Sequence, residues 1–147
     1  MTRQLIPHTV ISVLALGLFA GCAAQDVGLV GEQPREAITF AARAKYPGAA
    51  QDSDRYKSVA IVNPDKKVLD VYNLGSQSIP ATALWVNGAF VKQIAPIAPK
   101  GHITARYVEI LESGPGARSF SQMETPVQKV ELQTNDGNYA TQGPVNR

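Results

Sequence analysis

After Ser58 the chain alternates hydrophobic and polar positions in short stretches, which is the pattern of β-strands with one buried face. Turn pairs such as Asn87-Gly88 and Asp136-Gly137 separate the stretches. Short strands at this spacing predict a small antiparallel β-sandwich, so the chain is expected to be mainly β. The predicted strands are 59–63, 68–74, 81–87, 89–94, 103–111 and 127–134, with weaker candidates at 119–123 and 138–142.

Before the strands, residues 34–46 place apolar positions at helical spacing. Pro34 suits the first turn of a helix, and Pro47-Gly48 predicts its end. One stripe of this helix holds Ile38, Ala41, Ala42 and Lys45. Because the stripe is mostly alanine, the helix is expected to cover the domain rather than to lie on a membrane surface.

The hairpin around Asn87-Gly88 predicts a strand register. A two-residue type I′ loop pairs Trp85 with Phe90, so both aromatic side chains share one face. The opposite face then carries Leu84, Val86, Ala89 and Val91.

Two interpretations of the aromatic face stay open. The favoured one places Trp85 and Phe90 beneath the helix or a second sheet, because an exposed tryptophan lowers solubility. The other makes the pair a binding surface for sugar rings or for an apolar partner.

The ionisable side chains are dispersed. In 127–134, Glu131 alternates with Val130 and Leu132, so it is expected to face solvent. His102 stands at a predicted strand start without a second histidine or a cysteine to complete a ligand set, which indicates a surface residue. The acidic residues expected to be solvated are Asp65, Asp70, Glu109, Glu112, Glu124 and Glu131. The sequence therefore predicts no catalytic residue, no metal site and no cofactor.

Residues 1–21 differ in composition from the rest of the chain. Arg3 lies in a short polar start, and an apolar run follows from Val10 to Ala20. The run is about as long as the core of an export signal and shorter than the ~20 apolar residues that span a bilayer. The segment that closes it resembles the lipobox of bacterial lipoproteins: Leu18-Phe19-Ala20-Gly21-Cys22.

This resemblance implies lipoprotein processing. Residues 1–21 are then a cleaved signal peptide, and the Cys22 sulfur carries a diacylglycerol with palmitate-like acyl chains. Residues 22–33 are small and polar, which favours a flexible stalk. Ala23 resembles the residue that permits sorting to an outer membrane, where a Gram-negative protein would face the periplasm or the cell surface. An ordinary secretory signal with an incidental cysteine is the alternative.

The net charge of the chain limits the classes of partner that it is expected to bind. The chain has 14 Lys and Arg against 12 Asp and Glu, and Arg3 lies in the segment expected to be removed. Because the chain is nearly neutral and contains no basic run, nucleic acid is not expected as its partner. Cys22 is the only cysteine, so no disulfide is expected.

The body of the chain resembles the immunoglobulin-like or fibronectin-III-like modules of bacterial surface proteins. The resemblance rests on a strand ending in Asn73-Leu74-Gly75, the Asn87-Gly88 hairpin, the loop 96–101 and the strand after it. It implies a fold and no activity. The predicted organisation is a signal at 1–21, a stalk at 22–33, a helix and linker at 34–57 and a sandwich at 58–143.

The function expected from these features is that of a lipid-anchored protein of the cell envelope. The sandwich would act as a structural or interaction module, with an envelope protein or glycan as its partner. The first alternative is an envelope-attached carbohydrate-binding module, which needs Trp85, with Tyr72 or Tyr107, exposed in a row. An enzyme is the less favoured alternative, because no nucleophile-base pair is visible.

Overall fold

The computed structural model describes residues 33–52, 55–116 and 118–147. These residues form a helix, two short 3₁₀ helices and two β-sheets. The helix α1 is Arg35–Arg43, and the 3₁₀ helices are Tyr107–Glu109 and Phe120–Gln122. The strands are β1 Ser58–Asn63, β2 Val68–Asn73, β3 Ala81–Val86, β4 Phe90–Gln93, β5 His102–Arg106, β6 Leu111–Glu112, β7 Val130–Thr134, β8 Asn138–Ala140 and β9 Gln142–Asn146.

The strands form a sandwich of a four-stranded and a five-stranded sheet. The strand orders are β5-β2-β1-β9 and β6-β4-β3-β7-β8. This arrangement confirms the predicted small, mainly β sandwich. One pairing within it is not antiparallel, because β9 runs parallel to β1. The sandwich also continues to Asn146, past the predicted end at residue 143.

Alternating inward positions build the core between the two sheets. In β1, Ala60 and Val62 are buried, and in β2 Leu69 and Val71 are buried. Phe120 from a 3₁₀ helix enters the same cluster. The period of two therefore gives β1 and β2 one apolar face each to bury, and removing apolar surface from water contributes about 25 cal/mol per Å².

The helix α1 lies on the outer face of the five-stranded sheet, which confirms its predicted role as a cover. It ends at Arg43 rather than at Pro47-Gly48, because Ala44 already has extended backbone angles of −65° and 134°. The predicted stripe is wrong: Ile38 remains 38% exposed. The side chains that pack against the sheet are Ala37, Phe40, Ala41 and Ala44.

The β3–β4 turn has the predicted backbone but not the predicted register. Asn87 and Gly88 have φ angles of 54° and 67°, as a type I′ turn requires. The N–H of Ala89 donates to the carbonyl of Val86 at 3.2 Å, yet Val86 pairs with Phe90. Ala89 is therefore an extra residue between turn and strand.

The extra residue changes which side chains share a face. Trp85 pairs with Val91 instead of Phe90, and Trp85 and Phe90 belong to different hydrophobic clusters. The predicted aromatic face is therefore wrong. A one-residue shift moves a side chain to the other side of a sheet, since the period of a strand is two.

Three further strand predictions differ from the structure. The predicted strand 103–111 breaks after Arg106, where the chain turns through a 3₁₀ helix and joins the other sheet as β6. The weak candidate 119–123 contains a 3₁₀ helix instead of a strand. The candidate 138–142 is divided at Thr141 between β8 and β9, which lie in different sheets.

Candidate functional site

Cys22, the residue predicted to carry lipid, lies outside the described residues. The predicted signal at 1–21 and the stalk before Gln33 also lie outside them. Within the described ranges, no helix is long and apolar enough to cross a membrane. Lipid attachment therefore stays a prediction from the sequence.

Trp85 is fully buried beneath the helix and the residues that follow it. Its indole ring meets the ring of Tyr46 edge-on, with centroids 5.4 Å apart. The indole Nε1–H donates to Oε1 of Gln133 at 2.8 Å. The interpretation of Trp85 as a covered residue is therefore confirmed. The ring is part of a packed layer with its polar atom satisfied.

Phe90 faces the core between the two sheets and is only 6% exposed. Its ring packs edge-on against Phe120 with centroids 5.1 Å apart. Phe90 and Trp85 therefore do not form a joint binding surface.

The other aromatic residues considered for sugar stacking are also separated. Tyr72 stacks on His102 at the edge of the four-stranded sheet, with centroids 5.0 Å apart. Tyr107 packs against Phe120, at 5.0 Å. His102 is exposed at the first position of β5, which confirms it as a surface residue. Trp85, Tyr72 and Tyr107 consequently form no row.

Glu131 was expected to be a solvated acidic residue, and this expectation is wrong. Only 1% of it is exposed, because Tyr46 covers the face of β7 that was expected to meet solvent. The Tyr46 hydroxyl lies 2.9 Å from both carboxylate oxygens of Glu131. Tyr46 precedes Glu131 by 85 positions, so the local pattern around Glu131 carries no signal of this contact.

Lys129, whose side chain is exposed, contacts both members of this pair. Its Nζ donates to the Tyr46 hydroxyl oxygen at 2.8 Å and lies 3.2 Å from Oε1 of Glu131. The hydrogen bond to Tyr46 raises the pKa of Lys129, and the charge of Glu131 adds to that effect. The arrangement neutralises a buried carboxylate and attaches the segment after α1 to β7, which is a structural role.

An open groove of about 750 Å³ lies between α1, β4 and the 3₁₀ helix Tyr107–Glu109. It begins at Gln33 and Pro34, where the described chain starts. Its apolar lining includes Ala37, Phe40, Val91, Ile94 and Val108. The groove thus joins the first described residues to α1 and to the edge of the five-stranded sheet.

Glu109 forms the charged wall of this groove. Its carboxylate lies 2.7 Å from Nζ of Lys92 and 2.7 Å from the guanidinium of Arg106. Burial alone would raise the pKa of Glu109, but hydrogen bonds from Lys92 and Arg106 outweigh burial and lower it. A carboxylate held ionised in this way suits an ion-paired wall better than a proton donor.

The remaining acidic side chains do not converge on one place. Glu112 pairs with Arg118 at 2.7 Å, and Asp136 pairs with Arg55 at 3.2 Å. Across 33–52, 55–116 and 118–147, no group of three His, Cys, Asp or Glu residues could hold a metal ion. These ion pairs lie at separate places in the described structure, away from the groove.

Comparison with known proteins adds no assignment to this geometry. No protein family, curated protein or solved structure significantly matches the chain.

Proposed function

We propose that this protein is a lipid-anchored lipoprotein of the cell envelope whose β-sandwich serves as a structural or interaction module. The observation that carries the proposal is the segment Leu18-Phe19-Ala20-Gly21-Cys22, which follows an apolar run and precedes a small polar stretch. A single folded sandwich after such a stretch supports a tethered module.

The proposed mechanism is confinement at a membrane. A single acyl chain gives reversible membrane binding, whereas two or three make release slow, at about 0.8 kcal/mol per buried methylene. A module attached through Cys22 then meets its partner at a high effective concentration, so a weak interface suffices.

The groove that begins at Gln33 and Pro34 supports an interaction role. Phe40 and Ile94 offer apolar contact there, while Glu109 and Arg106 offer polar contact. A few polar groups in an apolar concavity are typical of a binding site. An envelope protein is the proposed partner, because the row of exposed aromatic rings required by a carbohydrate-binding module is missing among the described residues.

Metabolic labelling with a fatty acid tests the tether. The wild-type chain should take up label and yield a mature product that begins at acylated Cys22, as read by mass spectrometry. Cys22→Ala should lose the label. Ala24→Ser is the matched control, because it leaves residues 18–22 unchanged and should keep the label. An unmodified product, or label retained by Cys22→Ala, would refute the proposal.

Photo-crosslinking in intact cells tests the interaction role. A photoreactive residue in place of Glu36, on the groove wall, should give a discrete adduct that contains an envelope protein. The same residue in place of Lys66, in the turn between β1 and β2, is the control. Equal adducts from both positions would argue against the groove as the interface.

A further inference from the structure

Three cationic side chains and one exposed leucine line the same surface depression just after β2. Arg55, Lys57 and Lys100 line a shallow depression of about 460 Å³ together with Leu74. These four residues are called the basic loop cluster below. The loop Gly75, Ser76 and Gln77 completes the depression.

The cluster carries excess positive charge although the whole chain is close to neutral. Arg55 is partly balanced by Asp136, which lies 3.2 Å away. In the described part of the chain, no carboxylate lies within 4 Å of the ammonium group of Lys57 or Lys100. Lys100 donates to the Leu74 carbonyl, which leaves its charge unneutralised.

Leu74 is the exposed apolar side chain in the lining that these cations share. Its exposed fraction is 45%, and the other exposed large hydrophobic residues among the described positions are Ile38 and Val145. An exposed leucine that shares a depression with lysine and arginine matches the chemistry of an anionic bilayer surface, where phosphates lie above the acyl chains.

The cluster stands on a rigid base. Asn73 is only 2% exposed, and its side-chain amide donates to the carbonyls of Gln77, Ile97 and Ala98. Its Oδ1 accepts the N–H of Gly75 at 2.9 Å. The Leu74 N–H also donates to the carbonyl of Lys57 at 2.8 Å. The side chains are thus presented from fixed backbone, which reduces the entropy lost on binding.

We infer that the basic loop cluster docks onto anionic phospholipid headgroups. The cations bind the phosphate oxygens, and Leu74 enters the boundary between headgroups and acyl chains. The inference rests on the proposed function only because a tether keeps this surface near a bilayer. Docking would give the tethered domain a fixed orientation through residues that do not line the groove beside α1.

Vesicle co-sedimentation tests the inference with the chain that begins at Ala23. Every described helix and strand lies after this point, and the predicted acylation site is removed. This chain should bind vesicles of equal parts phosphatidylglycerol and phosphatidylcholine, and bind poorly to phosphatidylcholine alone. Added salt should weaken binding, because exposed charges are screened.

Charge variants locate the binding surface. Lys57→Gln and Lys100→Gln should each weaken binding to the anionic vesicles about fivefold. Leu74→Ala should weaken it roughly tenfold through lost apolar contact. The controls are Lys45→Gln and Lys66→Gln, which each remove the same charge, from the segment after α1 and from the turn before β2. Unchanged thermal unfolding midpoints establish that all variants fold.

Three outcomes would separate membrane docking from simpler forms of binding. Equal loss in the cluster and control variants would mean non-specific charge attraction and overturn the inference. Chemical shift changes at these residues with inorganic phosphate, without vesicle binding, would identify a free-anion site and also overturn it. If Cys22 takes up fatty-acid label but the chain that begins at Ala23 does not bind vesicles, the docking inference is wrong and the proposed lipid tether still holds.

Discussion

The hydroxyl of Tyr46 lies 2.9 Å from both carboxylate oxygens of Glu131, which is almost completely buried in β7. The Tyr46 ring also packs edge-on against Trp85. One side chain therefore connects the segment after α1 to both the polar and the apolar part of the covered sheet face.

Replacing Tyr46 by phenylalanine should lower the free energy of unfolding by about 1–3 kcal/mol. The variant keeps the ring against Trp85 but removes a hydrogen-bond donor from a buried carboxylate. Urea unfolding measures the change. Tyr72→Phe, on the outer side of the four-stranded sheet, should shift stability by less than about 0.5 kcal/mol. Equal losses in the two variants would contradict a special role for the Tyr46 hydroxyl.

The fluorescence of Trp85, the only tryptophan, should report whether α1 is seated on the sheet. The wild-type emission should be that of a buried indole. Phe40→Asp should shift the emission to longer wavelength and cost about 2–4 kcal/mol of stability, because Phe40 packs in the same cluster. Ile38→Asp changes an exposed position of the same helix. A red shift of similar size in Ile38→Asp would argue against this packing.

Asn87 contributes to stability through its side-chain hydrogen bonds and through its left-handed backbone, and two substitutions should separate these contributions. Its Oδ1 accepts the N–H groups of Gln128 and Lys129, and its amide donates to the Pro126 carbonyl. Asn87→Gly should lose these bonds, at about 1 kcal/mol each. Asn87→Ala should be worse by a further ~1 kcal/mol, because φ is 54° there. Chemical denaturation of both variants checks the order, and a more stable alanine variant would contradict it.

Glu109, in the wall of the groove, should contribute to the free energy of unfolding by an amount that depends on pH. Because the pKa of folded Glu109 is lowered, its contribution is present above the usual value of 4.5 and is lost as pH falls through the lowered value. Glu109→Gln should therefore cost about 1 kcal/mol at pH ~7 and progressively less below pH ~4.5. Unfolding titrations at several pH values measure this difference. If the stability cost of Glu109→Gln grew as the pH fell, the predicted direction of the pH dependence would be wrong.

Glu124→Gln is the matched control for this experiment. Glu124 is exposed and forms no ion pair within the described part of the chain. Its replacement should change stability by less than about 0.5 kcal/mol at neutral pH. A loss as large as that of Glu109→Gln would point to net charge rather than to the contacts with Lys92 and Arg106.

Period-two patterns predicted the sandwich and most strand positions, because burial on one face leaves its mark in local sequence. The hairpin register was not predictable from the turn residues alone. Asn87-Gly88 adopted the expected turn, but the carbonyl of Ala89 accepts the N–H of Ser113, next to β6. The shifted register thus comes with a bond to a segment distant in sequence, which the turn residues do not indicate.

The same limit applies to Glu131. Its alternation with Val130 and Leu132 correctly indicated a face separate from the sandwich core. Whether that face met water depended on Tyr46, which approaches from the segment after α1. The alternating pattern of a strand tells its two faces apart. Whether the second face is buried depends on a segment from elsewhere in the chain, here the one that carries Tyr46.

The parallel pairing of β9 with β1 makes the order of folding depend on the last residues of the sheet. Until Gln142–Asn146 have been synthesised, β1 lacks one of its two neighbours. Contacts between such distant parts of a chain form slowly. Truncation just before Gln142 should therefore leave β1 as an unpaired sheet edge, which lowers the free energy of unfolding and makes the domain easier for proteases to cleave.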